Sequence, residues 1–207
     1  MMVVLAVAAA RDAKRAGVDA VTVKSLAAIV QTRSRPPVVS ERTLKAQAAA
    51  LAKLEAQGLP FLPVRFGTVV RDEAELKRLL SPMIEPLTLA LALTRGRHQM
   101  TVRVRGTSAT APRTSGRAFL AARAREARVP EADPVRKAVA GLFAAEETGP
   151  ARAPFSGAVY HLVDDGNVER YVAAIETLQR RAPGRYVISG PMPPFAFTAV
   201  ADIGGGA

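Results

Sequence analysis

Three prolines and two aromatics fall within the eight residues Gly190-Pro191-Met192-Pro193-Pro194-Phe195-Ala196-Phe197. Proline fixes φ and brings no N–H donor, so this stretch excludes a central strand and a helix interior. It predicts a chain that leaves a strand at Gly190 and then runs extended, holding Phe195 and Phe197 against the strand–helix–strand unit before it. Those two rings are either core plugs or an apolar docking patch for a partner.

A second cluster, Leu62-Pro63-Val64-Arg65-Phe66-Gly67-Thr68-Val69, lies far upstream. Alternation places Leu62, Val64 and Phe66 on one face and Phe61, Pro63 and Arg65 on the other, so Phe61–Val70 reads as one strand. Arg65 has two readings. It faces solvent with its stem over the core edge, or its guanidinium pairs with Asp72, Glu73 or Glu75 and fixes the turn into the next helix.

The 207 residues allow one large domain or two small ones. Cysteine is absent, which excludes disulfides and thiolate chemistry. The net charge is +11 and uneven: residues 1–106 hold 17 basic and 8 acidic residues (17 − 8 = +9), the rest 12 and 10 (12 − 10 = +2). Such a field attracts acidic proteins, nucleic acid or anionic lipid, or it simply solvates the surface. No apolar run reaches the roughly 20 residues of a membrane helix. Met2–Val7 reads as a first strand and not as an export signal, because no basic segment precedes it.

Along the first half, Val3–Ala8, Val21–Val23 and Leu26–Gln31 read as strands. Ser40 caps a helix over Glu41–Gln57, with Leu44, Ala48, Leu51 and Leu54 at helical spacing and Gly58 as its stop. Asp72 caps a short helix through Leu80. Leu87–Thr94 is a further helix, closed by Gly96. His98–Arg105 alternates as a half-buried strand, with Arg103 and Arg105 on its outer face. Gly106–Ser115 has no periodicity and marks the expected boundary between domains 1–106 and 107–207.

The second half predicts helices over Ser115–Arg128 and Asp133–Glu147. The latter carries a stripe of Val135, Ala138, Val139, Leu142 and Phe143. Then come a strand over Phe155–Val163, a turn at Asp164-Asp165-Gly166, and a helix from Val168 capped by Asn167. A returning strand over Arg185–Ser189 completes a βαβ unit. The fold class is α+β, two small sheet-plus-helix domains, with no internal sequence repeat.

No phosphate loop, dinucleotide motif or nucleophile elbow is present. His98 and His161 fall on separate strands and read as structural residues. No cofactor and no metal is implied. A nucleic-acid-binding module is the alternative that the basic first half allows. Arg103 and Arg105 would carry it, but their face has no aromatics for base stacking and no RRM signature accompanies them.

The two signature clusters together resemble the gas vesicle L/F family, whose members end in a pattern close to G-P-W-P-P-Y-S-F and carry an L-P-x-R-F-G-T strand in the first half. The resemblance covers roughly residues 41 to 200. It maps onto Pro63, Arg65, Phe66, Gly67 and Thr68, and onto Gly190, Pro191, Pro193, Pro194, Phe195 and Phe197. Met192, Phe195 and Ala196 depart from the family's Trp, Tyr and Ser, and each change removes a polar group. The region before residue 41 is short against the family pattern. The resemblance implies a ferredoxin-like first domain and a cytoplasmic, non-catalytic assembly factor associated with gas vesicles. It would bind the small hydrophobic shell protein and other accessory proteins, with no specific nucleic acid and no membrane among its partners. The basic Arg103 and Arg105 would then steer an acidic partner inward.

Overall fold

The first strand of the computed structural model, β1 (Met2–Ala9), is apolar throughout because its sheet is covered on both faces. The structure describes residues 1–106, 128–198, 201 and 203. They form two compact units, Met1–Gly96 with Pro193–Ala207, and Arg97–Met192.

In the first unit, β1 is followed by α1 (Ala10–Ala16), β2 (Ala20–Val23), β3 (Leu26–Thr32), α2 (Glu41–Ala56), β4 (Phe61–Pro63), β5 (Val69–Val70), α3 (Glu73–Leu80) and α4 (Ile84–Thr94). The sheet order is β2-β3-β1-β4, with β5 also on β1 and every pairing antiparallel. Up to β4, the order of strands and helices is that of a ferredoxin-like fold. One face buries Val4, Val7 and Leu62 under Leu76 and Leu80 of α3, Leu87 and Leu91 of α4, and the returning Ala201 and Ile203. The other buries Leu5, Ala6, Ala8 and Ile29 under Ala13 of α1 and Leu51 and Leu54 of α2. A β-bulge between Val4 and Ala6 puts the adjacent Leu5 and Ala6 on the same face.

Both helix starts were readable from the sequence. The Ser40 hydroxyl accepts from the Thr43 N–H at 3.2 Å, and Asp72 Oδ1 accepts from the Glu75 N–H at 2.8 Å. Helix α1 was not anticipated. Its seven residues carry Arg11, Asp12, Lys14 and Arg15, and it ends on Gly17 in the left-handed region (φ 63°). The buried Asp12 carboxylate pairs with Arg95, just past α4.

The second unit holds β6 (Arg97–Arg105), α5 (Asp133–Ala138), β7 (Ala145–Gly149), β8 (Phe155–Asp164), α6 (Val168–Arg181) and β9 (Tyr186–Met192). Its sheet order, β7-β8-β6-β9, is again antiparallel at every pairing. It repeats the strand order β2-β3-β1-β4 of the first unit. Strand β6, expected with the first half, is central here. The strands β8 and β9 do run parallel, as a βαβ reading requires, but β6 lies between them.

Two other expectations change. The helix expected over 133–147 ends at Ala138, because Gly141 turns the chain (φ 76°) into β7. Its stripe residues Val135, Val139, Leu142 and Phe143 still enter the core. Asn167 gives no side-chain cap to α6 and ends a 3-10 turn over Asp165–Asn167. Of the linker expected over Gly106–Ser115 and the helix expected over Ser115–Arg128, residues 107–127 lie outside the described residues.

Candidate functional site

The upstream signature is two short strands, not one. Both β4 and β5 lie along the same edge of β1, pairing Leu62 with Val7 and Val69 with Val3. Between them, Val64 N–H donates to Leu5 O and Val4 N–H to Thr68 O, which leaves Arg65, Phe66 and Gly67 looped out. Gly67 sits at φ 83°, and Thr68 closes the loop by donating its backbone N–H and its hydroxyl to Arg65 O. Pro63 costs no ladder bond. It stands on an edge strand, and the neighbouring Val64 N–H is the one facing β1.

Arg65 is exposed, and no carboxylate of the described residues pairs with it. The nearby carboxylate that does act is Glu75, which accepts from the backbone and guanidinium of Arg71 and is held below the usual carboxylate range by those bonds. The solvent-facing reading of Arg65 is therefore the one observed.

Phe66 is half-buried and lines a cavity of about 420 Å³ beneath the N-terminal half of α2. The cavity exists because α2 buries its apolar side chains only in its C-terminal half, while in its N-terminal half Gln47 Nε2 reaches Val64 O at 3.4 Å. Leu51 and Leu54 are buried, whereas Leu44 is 45% exposed. The floor is Val3, Leu5 and Phe66, and Arg33, Arg35 and Arg42 stand on the rim. Sequence reasoning missed this site, because it arises from where a regular amphipathic helix stops touching the sheet.

In the downstream signature, β9 continues through Gly190 and Pro191 to Met192, farther than expected. Pro191 is accommodated because β9 is an edge strand. Gly190 adopts φ 127°, and a Cβ there would come within 2.7 Å of Gln99 O and 2.9 Å of Met100 Sδ. A 3-10 turn over Phe195–Phe197 follows. The two rings differ: Phe197 is buried and Phe195 is 47% exposed. Residues from Pro193 on belong to the first unit, so the expected packing of these rings on the strand–helix–strand unit is not what forms. The sequence distance to β1 hides this, since only tertiary contacts decide it.

Arg103 and Arg105 are exposed on β6, and the Arg105 guanidinium lies 5.5 Å over the Phe155 ring. On the same strand, Arg97 Nε donates to Asp164 at 2.8 Å, and His98 lies 3.1 Å from Asp165.

The second unit contains a closed polar cluster. His161 is fully buried, with Nδ1 2.6 Å from the Tyr171 hydroxyl and Nε2 2.7 Å from Glu146 Oε2. Phe143 stacks on the imidazole at 4.1 Å. Arg136 binds Glu146, Asp133 and the carbonyl oxygens of Val129 and Arg128. Burial pushes the His161 pKa down, opposed by Glu146 and aided by Arg136. Burial likewise pushes the Tyr171 phenol up. Every partner comes from the unit's own core elements, which suits a structural histidine. Among the described residues, no group of three or more His, Cys, Asp or Glu is placed to hold a metal ion. No helix among them is long and apolar enough to cross a membrane.

Two solved structures resemble the chain over most of its length. The crystal structure of the gas vesicle protein GvpF from Anabaena sp. PCC7120 is 16% identical with a TM-score of 0.65, covering 90% of this chain and 88% of that one. The GvpF crystal structure from Microcystis aeruginosa is 13% identical with a TM-score of 0.68, covering 87% and 88%. At these identities the likeness establishes the fold. No curated protein sequence matches. The model of the gas vesicle synthesis protein GvpL/GvpF family matches residues 5–199, which takes in both signature clusters. The chain belongs to the gas vesicle synthesis protein GvpL/GvpF family.

Proposed function

We propose that this chain is a non-catalytic assembly factor for gas vesicles, working in the cytoplasm and associated with the vesicle as it is built. It binds the small hydrophobic shell protein and other accessory proteins. The observation that carries this reading is the family match over residues 5–199. The physical need is plain: a shell subunit exposes apolar surface and strand edges that aggregate unless covered. The upstream signature lies on a sheet edge and the downstream one ends an edge strand and then forms a 3-10 turn, with Phe66 and Phe195 as their accessible rings. Pro63, Arg65, Phe66, Gly67 and Thr68 form one partner-facing element. In the second signature the exposed Phe195 is the partner-facing group, while Gly190 and Pro191 shape the end of their strand, Pro193 and Pro194 lead into the turn and Phe197 is its buried support. The exposed Arg103 and Arg105 steer an acidic partner inward.

The test is capture of the purified shell protein by the full chain, run beside shift assays with random RNA and DNA at physiological salt. Shell-protein capture with weak, salt-sensitive nucleic-acid binding is expected. Salt-resistant RNA binding without capture would establish the nucleic-acid reading instead.

A further inference from the structure

We infer that the cavity beneath the N-terminal half of α2 is a docking site for an acidic, apolar-anchored segment of a protein partner. This rests on the assembly-factor reading, and it names the chemistry of one contact. The cavity of about 420 Å³ falls within the range of ligand pockets and is floored by Val3, Leu5 and Phe66. Its rim carries Arg33, Arg35 and Arg42, and among the described residues no aspartate or glutamate lines it. Among the described residues no carboxylate pairs with any of the three, although Arg33 donates to Gln31 at 2.9 Å. Several other cations of this unit do have carboxylate partners, as in Arg71 with Glu75, Lys77 with Glu73 and Lys45 with Glu41, whereas the three around the cavity stand together without one. Three unmatched guanidinium groups around one apolar floor are complementary to a segment that offers carboxylates beside apolar side chains.

The apolar surface also extends beyond the floor. Val38, Val39 and Leu44 are exposed next to the rim, at 77%, 73% and 45%. They lie on the segment entering α2 and on its first turn, which the Ser40–Thr43 capping box holds in place. A segment seated in the cavity would cover these side chains with its own. Single-stranded nucleic acid fits less well, because Phe66 is the one aromatic lining residue and a stacking platform needs successive rings.

The experiment uses the full chain and a short fluorescein-labelled peptide of alternating Glu and Leu, with a Lys/Leu peptide as its counterpart. Anisotropy should show wild type binding the Glu peptide at least about tenfold more tightly than the Lys peptide. The double variant Arg35→Glu, Arg42→Glu should lose that preference or reverse it. Both positions are exposed, so the variant should keep the wild-type circular dichroism spectrum. Phe66→Ala should weaken the Glu peptide while leaving the charge preference intact. Equal binding of the Glu peptide by wild type and the double variant overturns the inference. So does labelled RNA that binds through Arg35 and Arg42 while the Glu peptide does not bind. Capture of the shell protein by the same proteins separates the two readings. A wild type that binds the Glu peptide but no gas vesicle protein sinks the assembly-factor reading and leaves the site standing. A double variant that captures the shell protein normally, yet binds the Glu peptide as wild type does, sinks the site and leaves the assembly-factor reading.

Discussion

His161 accepts a hydrogen bond from Tyr171 at Nδ1 and donates one to Glu146 from Nε2. Its Nε2 faces the Glu146 carboxylate, which only accepts, so the single proton of the neutral ring is on Nε2 and Nδ1 takes the Tyr171 O–H. The unfolded chain protonates this histidine below about pH 6.5. The folded chain does so only at lower pH, since burial depresses its pKa. The unfolded state therefore binds more protons in that window, and stability falls as pH drops through it, by up to about 1.4 kcal/mol per pH unit. His161→Gln should be less stable near neutrality and show a shallower decline between about pH 7 and pH 5. Urea titrations at each pH measure this, and a slope equal to that of wild type refutes it.

Arg136 holds the other end of the same cluster. Replacing it with Met keeps the stem but leaves Glu146 with His161 as its remaining partner in the cluster. The loss should be about 3 kcal/mol, as for one partner removed from a largely buried pair. Because Arg136 lowers the His161 pKa, that pKa should rise in the variant. An NMR titration that finds it unchanged or lower would contradict the assigned geometry.

Glycine is required for different reasons in the two signatures. Gly190→Ala drives a Cβ against the Gln99 carbonyl and the Met100 sulfur, and should cost about 2–4 kcal/mol. Gly67→Ala meets open space and pays only for its left-handed φ, about 1 kcal/mol. Melting temperatures should rank the variants in that order.

The two tail rings should separate in the same way. Phe197→Ala removes a buried ring and should cost about 3–5 kcal/mol. Phe195→Ala, half exposed, should leave the melting point nearly unchanged and weaken shell-protein capture. A large loss of stability from Phe195→Ala would return it to the core.

The steering role of Arg103 and Arg105 predicts a kinetic signature. Changing both to Glu should slow association with the shell protein and flatten its salt dependence, with dissociation little altered. Surface-immobilised kinetics at two ionic strengths read both rates. Faster dissociation at an unchanged on-rate would place these arginines inside the interface.

Local features were legible in the sequence where one residue type has one cheap use. Ser40 and Asp72 announced their helices, and the prolines after Gly190 excluded a central strand there, which agrees with β9 lying at the sheet edge. The α+β class followed from the same patterning. The strand order did not, because the choice of β6 as the neighbour of both β8 and β9 rests on pairings far apart in sequence. Strand β7 was hidden because Leu142 and Phe143 continue the apolar spacing of Val135 and Val139 past the point where Gly141 ends the helix. The Arg33, Arg35 and Arg42 rim was invisible for a related reason: α2 looks uniformly amphipathic, and only its contacts reveal that half of it stands clear of the sheet.

The return of Ala201 and Ile203 to the core of the first unit sets an order on biosynthesis. These side chains emerge from the ribosome about a hundred residues after Leu91, which they help to enclose. During that interval the unit carrying the upstream signature exists with an incomplete core, while the second unit, made from one continuous stretch, is completed at Met192, nine residues before Ala201. At a typical elongation rate of about 5–20 residues per second, the delay lasts about 5–20 seconds. The second unit thus has every described strand before the first has its whole core, and the partner-facing loop at Arg65–Gly67 acquires its final support only after the second unit has been made.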